Sequence, residues 1–161
     1  MGAGFHGGFG NTLRKVAQKI GEILKEYRSY SKADIVLELN NITDDSTAIA
    51  QGILDKEIGI NIVSGHVLEY YLGVGPGTIA IQKGNQIYVR KDSASLISDI
   101  VHEGKHVLDY NSSIPQKKIG SQWGELRAYL SEHDFQKKTG RKLDFKNADE
   151  IIVHVHLNYT K

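Results

Sequence analysis

A chain of 161 residues is long enough for one domain with a sizeable core. Its 40% hydrophobic and 24% charged composition is ordinary for a soluble globular protein, and a net charge of +1 argues against a broad nucleic-acid surface. Cysteine is absent, which excludes disulfides, thiolate metal sites and a cysteine nucleophile and leaves His, Asp and Glu as the only metal ligands. No apolar run is long enough to span a membrane. The opening MGAGFHGGFG lacks the basic segment and apolar core of a signal peptide. The N-x-S/T sequons at Asn41, Asn111 and Asn158 therefore read as chance.

Residues 1–10 read as a flexible glycine-rich lead-in and residues 11–161 as a single domain. Gly2, Gly4 and Gly7 match G-x-G-x-x-G, but a dinucleotide site needs a strand before that turn and only Met1 precedes it. Asn11 or Thr12 caps a helix to about Tyr27, with Leu13, Val16, Ile20, Ile23, Leu24 and Tyr27 at helical spacing. Residues 31–41 are ambiguous. A second helix starts at Asp44, Asp45 or Ser46 and runs to about Lys56, with Ile49, Ile53 and Leu54 inward. Ile58 to Val63 is a β-branched run that reads as a strand, and the apolar, aromatic stretch Val67 to Leu72 is ended by Gly73, Gly75, Pro76 and Gly77. Thr78 to Gln82 and Gln86 to Arg90 then form a β-hairpin about Lys83-Gly84-Asn85, where Gly followed by Asn suits a type II′ turn. Asp92 or Ser93 is the expected N-cap of the next helix.

That helix, Ser95 to Tyr110, carries His102-Glu103-Gly104-Lys105-His106, an H-E-x-x-H pattern. With His102 at zero, His106 falls at about 40° and Asp109 at about 340°, while Glu103 sits near 100°. Leu96, Ile97, Ile100, Val101, Val107 and Leu108 fall on the opposite side, between about 120° and 260°. An apolar back and a histidine front are what two imidazoles need to grip one Zn2+ ion, with Glu103 beside them as general base.

A catalytic zinc wants a third protein ligand. After a loop containing Pro115 and Gly120, Gln122 to Lys138 reads as a helix that returns alongside the first. Glu125 shares a face with Tyr129, Glu132 and Gln136 and is the first choice; Ala128 beside that face permits close approach. Asp109 is the rival, with orientation of a ligand histidine as its other role. Glu132 is the third choice. In the tail, His154-Val155-His156 offers a competing pair. As a strand, the tail turns Ile151, Val153, Val155 and Leu157 to one side and both histidines to the other; as a helix, the preferred reading, capped by a box of Asn147 and Glu150 with Ile151, Ile152, Val155 and Tyr159 inward, it separates the two histidines. His6, His66 and His133 read as surface or satisfied core histidines.

H-E-x-x-H followed at this distance by Glu125 in an E-L-R-A-Y helix resembles the zincin metallopeptidases with a glutamate third ligand. The chain departs from metzincins, since Asp109 and Ser112 stand where those carry glycine and a third ligand. It departs from thermolysin-like enzymes too, since Ala128 replaces the aspartate of their E-x-x-D. More narrowly, the hairpin, H-E-G-K-H-V-L-D-Y and E-L-R-A-Y-L resemble minimal zincin-like domains at the C-termini of bacterial polymorphic toxins, over roughly Thr78 to Lys138. The resemblance implies an α+β fold, with a small mixed sheet whose β-hairpin packs on the H-E-x-x-H helix, plus further helices. It implies one Zn2+ held by His102, His106 and Glu125 and water-mediated peptide hydrolysis with Glu103 as base. Tyr129, Tyr110, His133 or Arg127 would be the oxyanion donor, and Gln86, Ile87, Tyr88, Val89 and Arg90 the strand that receives an extended substrate. It further implies a monomer delivered as part of a larger secreted bacterial protein, acting on a target-cell protein and countered by a cognate immunity protein. The alternatives are a zincin-fold binding module that has lost catalysis, which the intact Glu103 opposes, and a metal-dependent hydrolase of a non-peptide substrate.

Overall fold

The computed structural model describes residues 12–16 and 30–160. Residues 31–161 group into one compact unit and residues 1–30 into another. Residues 12–16 are helical, as expected; the Asn11 cap, the rest of that helix and the expected boundary after residue 10 lie outside the described residues.

The ambiguous stretch is helix α1 (Lys32–Leu39), closed at its N-terminus by a reciprocal Ser31–Asp34 capping box. α2 (Asp44–Leu54) is capped in the same way by Thr43 and Ser46 and buries Ile49, Ala50 and Ile53. Leu54, expected inward, is 60% exposed. It lies about 100° around the helix from Ile53, on the flank of the buried stripe.

Three strands follow: β1 (Gly59–Val63), β2 (Ala80–Lys83) and β3 (Gln86–Arg90), with a π-helical turn (Val67–Tyr71) between β1 and β2. β2 and β3 form the expected antiparallel hairpin, with Gly84 at φ +58° in its two-residue turn. β1 pairs parallel to β3, so the order is β1-β3-β2 and β3 is the central strand. The fold is thus α+β with a small mixed sheet, as the sequence leads one to expect.

α3 (Leu96–Asn111) packs across the hairpin. Its N-cap is Ser95, with no side-chain bond to the helix backbone, in place of the expected Asp92 or Ser93. Asp92 is instead paired with Arg90, and Ser93 hydrogen-bonds the Asp99 carboxylate. The back of α3 joins Ile87 and Val89 of β3, Ile35 and Leu39 of α1, and Ile49 and Ile53 of α2 in one core. Full burial of each such side chain is worth about 1.5–3 kcal/mol.

α4 (Gln122–Thr139) lies along α3, and α5 (Ala148–Asn158) along α4. Asn147 caps α5 by accepting from the Glu150 backbone, while the Glu150 carboxylate accepts from Lys146 N–H, so the expected box is not closed on Asn147. Ile151 and Val155 are buried as expected, but Ile152 is 50% exposed.

Candidate metal centre

α3 presents His102 and His106 one turn apart, with ring centroids separated by 5.1 Å. α4 supplies Glu125. Its Oε2 lies 3.1 Å from His102 Nε2 and its Oε1 lies 3.2 Å from His106 Nε2. One ligand atom from each of the three residues falls within 4.8 Å of the others. Ala128, with no exposed surface, lets the two helices close on each other.

Asp109 takes neither role open to it on the sequence. It is buried, and the Arg127 guanidinium donates to both its oxygens at 2.8 and 3.0 Å. Asp109 stands seven residues beyond His102, which is about 10 Å along the axis. Its carboxylate reaches across to α4 rather than back to the histidine. Glu132 instead meets His102, with Oε2 3.1 Å from Nδ1. Glu125 and Glu132, seven residues apart on one face of α4, thus bracket both nitrogens of the same imidazole. His106 Nδ1 is buried with no hydrogen-bond partner.

Burial opposes a charge on His102, yet its hydrogen bonds to Glu125 and Glu132 outweigh that and raise it to about 10. Burial likewise pushes Glu125 up, but the bonds from His102 and His106 hold it at about 2. Glu103 is raised above the usual carboxylate range by burial, with the two histidines opposing. Glu132 is raised too, again by burial, against its bond to His102.

These residues sit in a cleft of about 680 Å³. Asp99, Glu103, Glu125, Glu132 and Asp144 line it, and among the described residues no Lys or Arg does. Two imidazole Nε2 atoms, a carboxylate and a carboxylate acceptor behind one imidazole form a donor set that fits a divalent cation. The set is compatible with zinc without being specific to it. A cation there would take the place of the proton between His102 Nε2 and Glu125.

Of the four residues expected as oxyanion donors, Tyr129 alone lines the cleft. Its ring centroid is 4.4 Å from that of His102, and its hydroxyl lies 2.9 Å from that of Tyr159. Burial raises both phenols above their ordinary range; the mutual hydrogen bond adds to the rise at Tyr129 and opposes it at Tyr159. Arg127 is held by Asp109 and lies 4.7 Å from the Trp123 ring centroid. Tyr110 is exposed, and the Nδ1 of His133 is buried without a partner rather than satisfied.

The expected substrate strand is also corrected. Gln86 to Arg90 is hydrogen-bonded on both sides, to β1 and to β2, and has no free edge to offer. The free edge beside the cleft belongs to β2: Ile79, Ala80, Ile81 and Gln82 line the opening. Arg90 N–H donates to Ile79 O at 2.8 Å. By the alternation of an antiparallel ladder, the backbone groups of Ala80 and Gln82 therefore point away from β3.

Asp144, Phe145, His154 and Tyr159 also line the cleft; of these the sequence singles out His154 alone as a candidate, and for a different pairing. His154 and His156 diverge on α5, as a helical tail requires: His154 lines the cleft and His156 is exposed. Only the periodicity that puts Tyr159 with the inward residues of α5 gave a signal for it. No protein-family model matches the chain, and no curated protein or solved structure is similar to it.

Proposed function

We propose that this domain is a zinc-dependent metallopeptidase. The observation that carries the reading is the convergence of His102, His106 and Glu125 in a cleft that also holds Glu103 and a free strand edge. His102, His106 and Glu125 would hold the ion, and Glu132 would keep the Nδ1 proton of His102 in place. Zn2+ bound there supplies Lewis-acid charge for water activation and carbonyl polarisation. Glu103 takes a proton from the attacking water as its oxygen bonds to the scissile carbonyl carbon; the C–N bond then breaks and the proton passes to the leaving amine. The Tyr129–Tyr159 pair shares one hydrogen bond between two hydroxyls, so one O–H proton stays free to donate to the developing oxyanion. Ala80 and Gln82 offer outward backbone groups to an extended peptide.

Replacing Glu103 by Gln keeps the size of the side chain and removes the base. Glu103→Gln should bind one equivalent of zinc by elemental analysis and cleave a casein or peptide-library substrate at least about a hundredfold more slowly. Undiminished cleavage by that variant would sink the mechanism. Delivery as a toxin effector, with a cognate immunity protein, is the finer proposal and is supported by the sequence resemblance. Toxicity on expression in bacteria that vanishes with Glu103→Gln would support it.

A further inference from the structure

The seam between α4 and α5 has two sides. One side is the cleft; on the other, Trp123 and Leu126 of α4 face Ile152 and Val155 of α5 across a separate groove of about 560 Å³. Trp123 is 41% exposed and Ile152 50%, so the groove leaves large apolar surface in water. Lys117, Lys118 and His156 supply the ionisable groups at its mouth, and among the described residues no carboxylate lines it. Neither lysine has an ion-pair partner among the described residues. Lys118 Nζ instead lies 5.8 Å from the Trp123 ring centroid. The N-terminus of α4, at Ser121 and Gln122, opens into the same groove and adds the positive end of a helix dipole.

We infer that this groove docks an acidic amphipathic segment of a partner protein, which inserts an apolar side chain between Trp123 and Ile152 and sets carboxylates against Lys117 and Lys118. The apolar floor supplies the driving force, and the one-signed mouth selects the partner. The interaction is independent of the cleft chemistry, so Glu103→Gln should retain it unchanged.

Trp123 is the chain's single tryptophan, so its emission reports on the groove alone. The full chain would be titrated with a designed Leu/Glu amphipathic peptide and with a Leu/Lys peptide of the same leucine pattern. A saturable blue shift with the Leu/Glu peptide, weakened by salt and absent with the Leu/Lys peptide, is expected. Lys117→Glu combined with Lys118→Glu, both at exposed positions, should weaken the midpoint by at least about tenfold while the melting curve is unchanged. No saturable shift with the Leu/Glu peptide, or an equal response to both peptides, would overturn the proposal. So would a shift that grows with protein concentration alone, since a second copy would then fill the groove.

Discussion

His102 is the residue on which the site turns, because both its ring nitrogens are engaged by carboxylates of one helix. The two contacts make different demands. Glu125→Ala removes a proposed ligand and should abolish stoichiometric zinc binding in equilibrium dialysis. Glu132→Gln leaves the three ligands but weakens the acceptor behind Nδ1; zinc affinity should fall by about 10–100-fold. Equal affinity in Glu132→Gln and the parent would show that the contact does not orient the ligand. The H-E-x-x-H histidines were legible in sequence because an α-helix fixes their relative angle from spacing alone. Glu125 could be ranked first by its position near the start of the returning helix. The contact of Glu132 could not be foreseen, because it depends on how α4 is rotated against α3. Asp109 misled for the same reason: it shares the histidine face, but Arg127 on the neighbouring helix claims it.

At the level of elements, α3 is wedged between two partners. The space beside its single glycine is not spare room: a Cβ built on Gly104 would stand 2.5 Å from Ile49 Cδ1 on α2. Gly104→Ala should therefore destabilise the fold by about 1–3 kcal/mol in urea unfolding, through overpacking that pushes α3 off α2. The glycine within the motif thus belongs to the core side of the helix, while His102, Glu103 and His106 line the cleft. The β2 edge gives a test that separates fold from substrate binding. Gln82 directs its N–H away from β3, and an edge strand tolerates proline where no ladder bond is lost. Gln82→Pro also gives up the Nε2 donation to Gly84 O, about 0.5–1.5 kcal/mol of stability, but should leave zinc content unchanged and raise KM for an extended peptide by about 2–12-fold, the worth of one hydrogen bond. The hairpin itself was legible from its Gly-Asn turn and alternating residues. The central place of β3 was not, because β1 joins it from across a π-helical turn and an intervening strand, and that pairing is set by tertiary packing.

Across the whole molecule, the tail and the core meet at the cleft. Gln122, at the start of α4, donates from its backbone to Thr160 O at 2.8 Å and from Nε2 to Tyr159 O at 2.8 Å. Those bonds fix the last turn of the tail and hold Tyr159 over Tyr129. Tyr159→Phe should lower kcat with little change in KM if its hydroxyl serves the transition state; a change confined to KM would give it a role in binding only. Nothing in the primary structure connects residue 159 to residue 102: the periodicity of the tail marks Tyr159 as inward but not as part of the cleft.

Two cross-braces span the same pair of helices: buried Asp109 with half-buried Arg127 at one height and the His102, His106 and Glu125 cluster at another. An ion seated in that cluster acts as a rivet between α3 and α4, and α3 in turn backs the sheet and the α1–α2 pair. Occupancy and folding are then a single linked equilibrium. Free zinc at a hundredfold excess over its Kd should add about 2.7 kcal/mol to the unfolding free energy, and a chelator should withdraw it. The melting temperature, followed by calorimetry against zinc concentration, becomes a reading of site affinity that needs no substrate.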